Sequence, residues 1–263
     1  MSGLIIIGGG LVNYSDAIKQ RIIKNIVEDP RIESDAYNIH PSAIIFKNLE
    51  DNFLPSSFQS IKKNPQWEFR TLKVHANLKD GTLEMQSSNS SDALLMNIFC
   101  NPGVGKWTGL QKLLHIDTFS VIEFGWNPSF ENEVLHPTEI DMKIGNSIFE
   151  SKLSEESFTE KEKGIVENYS DFYTVFDSQY LPSNETHYFN YQLIRNILTA
   201  YKYNFTFSIL VDQTRTDLIR SLLEVVTAIK EPEIRKRIGF FSWQEIAAVC
   251  GSELREFIER KYL

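Results

Sequence analysis

The stretch Ile140-Asp141-Met142-Lys143-Ile144-Gly145-Asn146-Ser147-Ile148-Phe149-Glu150-Ser151-Lys152 alternates apolar and polar residues on either side of Gly145-Asn146. Gly-Asn between two alternating runs predicts a two-residue β-hairpin loop. The register then follows: Ile144 faces Ser147, Met142 faces Phe149, and Asp141 faces Glu150. Residues directly opposed across a ladder, or two apart on one strand, share a face. Asp141, Lys143, Ile148, Glu150 and Lys152 are therefore expected on one face. Ile140, Met142, Ile144, Phe149 and Leu153 are expected on the other, in a core. Two carboxylates set across a ladder repel each other, and a divalent cation between them removes the conflict. Mg²⁺ is ordinarily held by one or two carboxylates with water and phosphate oxygens. Lys152, on the same face, is placed to orient or deprotonate an attacking water, or to offset charge developing on a phosphate. The competing reading is a solvated hairpin face whose cross-strand ion pairs contribute little.

An Asp followed across a hairpin by Glu-x-Lys, here Asp141, Glu150 and Lys152, resembles the signature of the PD-(D/E)XK restriction-endonuclease-like superfamily. The proline that usually precedes the Asp is replaced by Ile140. The resemblance implies an α/β fold: a restriction-endonuclease-like α/β/α sandwich around a mixed β-sheet. It also implies Mg²⁺- or Mn²⁺-dependent hydrolysis of phosphodiester bonds, with DNA as the expected partner and a homodimer as one way to cut both strands. By the same resemblance Asp141 and Glu150 hold the metal with the Ser151 carbonyl. Glu123, on the strand before, is a further candidate ligand, with Glu131 and Glu133 as alternates. A non-catalytic nucleic-acid-binding module on the same fold is the second expectation.

Two more segments carry the likeness. Ser90-Ser91-Asp92-Ala93-Leu94-Leu95-Met96-Asn97 resembles the Ser-Ser-x-Ala-Leu-x-x-Asn helix that precedes the catalytic sheet in related families. Downstream, Leu193, Ile194, Ile197, Leu198 and Tyr201 form the apolar side of a helix predicted over 185–203, capped by Asn184 or Ser183. Gln192 and Arg195, three apart, adjoin on it. In the resembling families a helix here turns a Gln and a basic residue toward metal and phosphate, and Arg suits bidentate phosphate contact. Glu155, in the charged run after Lys152, is a candidate supporting acid.

The remaining expectations come from the residues alone. The chain has 263 residues, 42% hydrophobic and 24% charged, which fits an ordinary globular protein. We expect an N-terminal extension over 1–85 and a nuclease core with a helical tail over 86–263. A net charge of −8 argues against non-specific coating of nucleic acid, though not against a basic cleft on an acidic body. Cys100 and Cys250 are too few for a disulfide framework or a zinc site. No apolar run is long enough to span a bilayer, and Leu4–Ile7 is too short for a secretory signal, so a cytoplasmic location is expected.

Residues 1–29 read as strand, glycine turn and helix, with Ser15 as cap and Ile18, Ile22, Ile23 and Ile26 as the stripe. Gly8-Gly9-Gly10 lacks the third glycine of a dinucleotide fingerprint, since Asn13 stands there. Gly103-Val104-Gly105-Lys106 is not a phosphate loop either: Cys100 occupies the first glycine position and Trp107 follows the lysine. Residues 67–85 suggest a hairpin turning at Asp80-Gly81. A strand is expected over 118–126 and another over 205–211, then a helix over 216–229. Ser242-Trp243-Gln244-Glu245 is a capping box.

Overall fold

Gly145 takes φ +55, open to glycine at little steric cost, and the chain reverses there between Ile140–Ile144 and Ser147–Ser151. The register pairs Ile144 with Ser147, Lys143 with Ile148 and Met142 with Phe149, as expected, but the ladder ends there: the expected pairing of Asp141 with Glu150 is absent, and the Asp141 carboxylate accepts from the Ser151 N–H instead. The structure is a computed structural model describing residues 4–7, 10–76, 78, 81–119, 121–128 and 139–263.

In chain order the strands are β1 (Leu4–Ile7), β2 (Gly10–Asn13), β3 (Tyr37–His40), β4 (Ala43–Phe46), β5 (Ile122–Trp126), β6 (Ile140–Ile144), β7 (Ser147–Ser151), β8 (Glu160–Glu162), β9 (His187–Phe189), β10 (Thr206–Val211) and β11 (Ile238–Ser242). The helices are α1 (Tyr14–Glu28), α2 (Pro55–Lys63), α3 (Pro65–Arg70), α4 (Ser91–Phe99), α5 (Thr108–Leu114), α6 (Lys163–Val166), α7 (Phe172–Val175), α8 (Tyr191–Tyr203), α9 (Thr216–Thr227), α10 (Pro232–Arg235), α11 (Trp243–Val249) and α12 (Ser252–Lys261).

Five strands form a mixed sheet in the order β11-β10-β7-β6-β5. The hairpin strands and β5 run antiparallel, while β10 lies parallel to both β7 and β11. Alternation along the central strands sends their side chains into two separate cores. Phe149 and Leu210 join α1, α4, α5, α11 and α12 on one side. Ile148, Ile209 and Val211 join α7, α8 and α9 on the other. A sheet covered on both faces explains why β7 is buried throughout and β10 is an almost continuous apolar run. The architecture is the α/β/α sandwich expected of the restriction-endonuclease-like fold.

Residues on both sides of position 85 share these cores. Ile18, Ile22, Ile44 and Phe46 pack in one cluster with Leu94, Phe149 and Trp243, and Phe53, Ile61 and Met85 pack with Ala93, Met96 and Cys100. Among the described residues no helix is long and apolar enough to cross a membrane.

Several elements depart from expectation. The face of the hairpin expected to carry charge is covered, because Ile148 and Glu150 lie fully buried. Ile140 packs with Ile148 rather than with Met142. The cause lies on the neighbouring strand: Gly125 takes φ +62, and around it Phe124 packs into one core and Trp126 into the other. Strict alternation is lost at that point. At the N-terminus, β1 pairs antiparallel with β2, so a second strand precedes the helix. Asn13, not Ser15, caps α1 by accepting from the Ser15 N–H at 3.0 Å, and the Ser15 hydroxyl donates to the Ser154 carbonyl at 2.5 Å. Residues 65–70 are helical, leaving a narrow pairing of Val74 with Leu83 as the hairpin. The helix predicted from 185 begins at Tyr191: the Asn184 side chain accepts from the N–H groups of Thr186 and His187, β9 pairs with β8, and Asn190 turns in the left-handed region at φ 59. In the tail, Ile238–Ser242 adds a fifth strand before the Ser242 capping box, which forms as expected.

Gly125 also has a tertiary duty, since a Cβ placed there would lie 2.6 Å from Arg70 Nη1. Gly125→Ala is therefore expected to destabilise the protein by about 1–3 kcal/mol, combining left-handed backbone strain with the clash. Thermal denaturation checks this, and an unchanged melting temperature contradicts it.

Candidate functional site

Two strands of the sheet, the helix α8 and two upstream helices meet at one cleft of about 440 Å³. The start of β6 brings Asp141, and the end of β7 brings Ser151 and then Lys152. The start of α8 brings Gln192 and Arg195, α4 brings Asp92, and α3 brings Arg70. Arg70 is held in place because Trp67, on the same helix, donates its indole N–H to the Ile122 carbonyl at 3.1 Å.

Glu150 sits directly behind this wall, fully buried. Its Oε1 accepts from Lys152 Nζ at 2.9 Å and from Gln192 Nε2 at 2.8 Å, and its Oε2 accepts from Asn196 Nδ2 at 2.8 Å. Leu193, Ile194, Ile197 and Leu198 seat α8 on the sheet. Its i, i+4 spacing then turns Gln192 and Asn196 onto Glu150 together. A buried carboxylate without such donors is costly.

Asp141 accepts from the Ser151 N–H at 2.7 Å. Desolvation, and then the charges of Glu150 and Asp92, hold its carboxyl well above the usual carboxylate range, against the pull of Lys152 and the Ser151 N–H. Asp141 keeps part of its surface exposed. The Asp92 carboxyl is also raised by desolvation, with Arg70 opposing. Arg70 Nη2 lies 2.8 Å from Asp92, and Nη1 pairs with Glu139. Burial works against the Lys152 ammonium, but Glu150, Glu155 and Asp141 outweigh it and hold its pKa above the ordinary lysine value. Arg195 is nearly fully buried: Nε and Nη2 bond Asn196 Oδ1, and Nη2 reaches the Glu139 carbonyl at 2.8 Å.

The site thus gathers Asp141, Glu150, Ser151, Lys152, Gln192 and Arg195. It does not gather Glu123, which stands opposite Lys143 in register and is ion-paired to it at 2.5 Å. Glu123 instead lines a separate groove with Trp67 and Phe124. Glu131 and Glu133 lie outside the described residues. Glu155 lines the cleft, accepting from the Ser91 hydroxyl and the Leu153 N–H.

Sequence reasoning missed Arg70, Asp92 and Asn196. Asn196 was within reach, being four residues after Gln192. Asp92 occupied the variable place of the Ser-Ser-x-Ala-Leu-x-x-Asn pattern, whose Asn97 proves structural: it accepts from the Leu54 N–H and donates to the Asn52 and Ala93 carbonyls. Arg70 carries no local signal.

The donor set suits a hard divalent cation. Gln192 Oε1 is buried with no hydrogen-bond partner, and Asp141 is destabilised by neighbouring negative charge. Among the described residues no three or more His, Cys, Asp or Glu side chains converge as a ligand set, but Mg²⁺ needs only one or two carboxylates.

The family model described as restriction endonuclease associating with ARP matches residues 19–263. No curated protein and no solved structure matches the chain.

Proposed function

Because the chain belongs to the family of restriction endonucleases associating with ARP, we propose that it is a metal-dependent nuclease hydrolysing phosphodiester bonds of DNA. The observation that carries this reading is the convergence of Asp141, Lys152 and Gln192 at one cleft, with Glu150 bonded to Lys152 and Gln192 directly behind it and an unpartnered oxygen on Gln192. Asp141 and Glu150, with the Ser151 carbonyl, would hold Mg²⁺ or Mn²⁺. When bound, such an ion lowers the pKa of its water and offsets charge on the phosphate.

The protein groups divide the remaining work. The carboxylates around Lys152 favour its ammonium form, in which it would donate hydrogen bonds to an incoming water or phosphate oxygen. Gln192 and Asn196 fix the Glu150 carboxylate. Arg195, wedged between Asn196 and the Glu139 carbonyl, and Arg70, between Asp92 and Glu139, supply positive charge beside the phosphate. Guanidinium groups favour that task by their paired donors.

Incubating plasmid and single-stranded DNA with Mg²⁺ or Mn²⁺ tests the assignment. The unmodified protein should cut and Lys152→Ala should not; equal cutting by both marks a contaminant. Glu123→Gln is expected to leave the cleavage rate within about twofold, since its carboxylate serves a partly exposed ion pair of small energetic weight. A rate loss of tenfold or more would return Glu123 to the site.

One observation favours a second reading. Both oxygens of Glu150 are already bonded, which also suits an inactive nuclease fold that binds nucleic acid. A gel shift without cleavage at any metal concentration would select it.

A further inference from the structure

A second pocket, about 520 Å³, opens beside the catalytic cleft and shares Glu84, Ser91 and Glu155 with it. Its other polar lining includes His40, Ser42, Asn89 and Ser90. The serine-rich stretch 87–91, which the catalytic assignment leaves without a role, forms one wall. That wall is fixed to β4 and to its upstream neighbours. The Ser88 hydroxyl accepts from the Ile44 N–H at 3.0 Å, the Ser88 N–H donates to the Ile44 carbonyl, and Asn52 donates to the Ser87 carbonyl.

Within this wall Asn89 holds an unsatisfied group. Its Nδ2 donates to the Ser42 carbonyl, which sets the orientation of the amide, because a flipped amide would oppose two oxygens. Oδ1 is left buried with no hydrogen-bond partner. An orphaned acceptor of this kind calls for a donor from a ligand. The charged walls select the ligand further. Glu84 is paired with Lys73 at 2.9 Å, Glu155 is held by Ser91 and Leu153, and Lys19 is paired with Asp16 at 3.4 Å. A phosphate would meet two carboxylates, and the one lysine of the lining is already paired. A flat, neutral group carrying N–H donors fits instead.

We infer that this pocket receives one unpaired nucleobase of the substrate strand, next to the phosphate being cut, and reads it through Asn89 Oδ1. The inference rests on the nuclease reading of the neighbouring cleft, which sets where the strand runs. An amino or imino N–H of the base completes the amide once the side chain turns its oxygen to the pocket, while the hydrogen bonds of Ser87 and Ser88 hold the backbone of the wall in place. Bases taken out of the stack are read along this same hydrogen-bonding edge.

The experiment cuts a random-sequence single-stranded DNA library with Mn²⁺ and sequences the new ends, for the unmodified protein, Asn89→Leu and Lys152→Ala. The expected profile is a base preference at one position beside the cut that Asn89→Leu reduces about tenfold, with its melting temperature retained. Loss of one buried hydrogen-bond partner gives an effect of that order. A flat profile in the unmodified protein, or a preference that Asn89→Leu leaves intact, overturns the inference. Should Asn89→Leu fail to fold, Asn89→Ser takes its place.

Absence of cutting by the unmodified protein, or equal cutting by Lys152→Ala, sinks the nuclease reading instead. The pocket is then judged alone by saturation-transfer NMR with the four deoxynucleosides. A signal that Asn89→Leu abolishes sustains a nucleobase site, and silence from all four removes it.

Discussion

Lys152→Ala should lose about 10²–10⁴-fold in the rate of DNA cleavage, the range a positioned proton donor or acceptor contributes. The same substitution should cost the fold roughly 3 kcal/mol, the lower end for removing one partner of a buried ion pair. Lys152 and Glu150 are both almost wholly buried, so without the ammonium the carboxylate keeps only Gln192 and Asn196 as donors. The Lys152 ammonium also lies over the Phe158 ring, with Nζ 5.5 Å from its centroid, and truncation removes that cation–π contact. Cleavage assays and thermal melts on one preparation separate the two losses. Lys152→Arg retains a charge beside Glu150 and should recover more stability than activity. Undiminished cutting by a folded Lys152→Ala protein would mark a contaminating nuclease and count against the assignment.

Asp141→Asn should behave in the opposite sense on stability. Desolvation and nearby carboxylates raise the Asp141 pKa in the folded protein, so the folded state binds this proton more tightly than the unfolded chain does. Such a group stabilises least when ionised. Its contribution is favourable at the acid end and is lost as pH rises from the ordinary carboxylate range through the raised folded value. The asparagine has no proton to lose, and its side-chain oxygen can still accept from the Ser151 N–H. The two proteins should therefore melt alike near pH 4, with the variant gaining about 0.5–2 kcal/mol toward neutral pH, as removal of a strained active-site charge commonly gives. Mn²⁺ should reverse the ranking, since a ligand at a hundred times its Kd adds about 2.7 kcal/mol to the form that binds it. Melts across pH with and without Mn²⁺, beside a cleavage assay in which Asp141→Asn is inactive, check all three points. An acid side chain that is simply structural would show the first effect and not the second.

The hairpin was legible because Gly145-Asn146 and the alternation around it are local signals, and local signals survive into the fold. Asp141, Ser151 and Lys152 lie on or just beyond its strands, and Gln192 and Arg195, singled out by the family resemblance and adjoining by helical spacing, line the same cleft. What escaped reading was set by tertiary packing. Arg70 reaches the cleft only because Trp67 anchors α3 to the edge strand and Gly125 leaves room for the guanidinium. The true start of α8 depends on Asn190 turning left-handed after a strand pairing, where propensity alone continued the helix backward to 185. The strand Ile238–Ser242 was hidden by the capping box that follows it at once. Glu123 looked catalytic by position, yet the residue directly across the ladder from it, Lys143, had already claimed its charge.

The apolar cluster that joins α1 and β4 to the central sheet has a mechanical corollary. One jaw of the cleft carries Arg70, Lys73 and Glu84; the other carries Asp141, Lys152 and Gln192. Trp67, on the helix that carries Arg70, and Phe149 and Leu153, next in the chain to Glu150 and Lys152, pack into that same cluster, so these two sides of the cleft cannot part without opening shared interior packing.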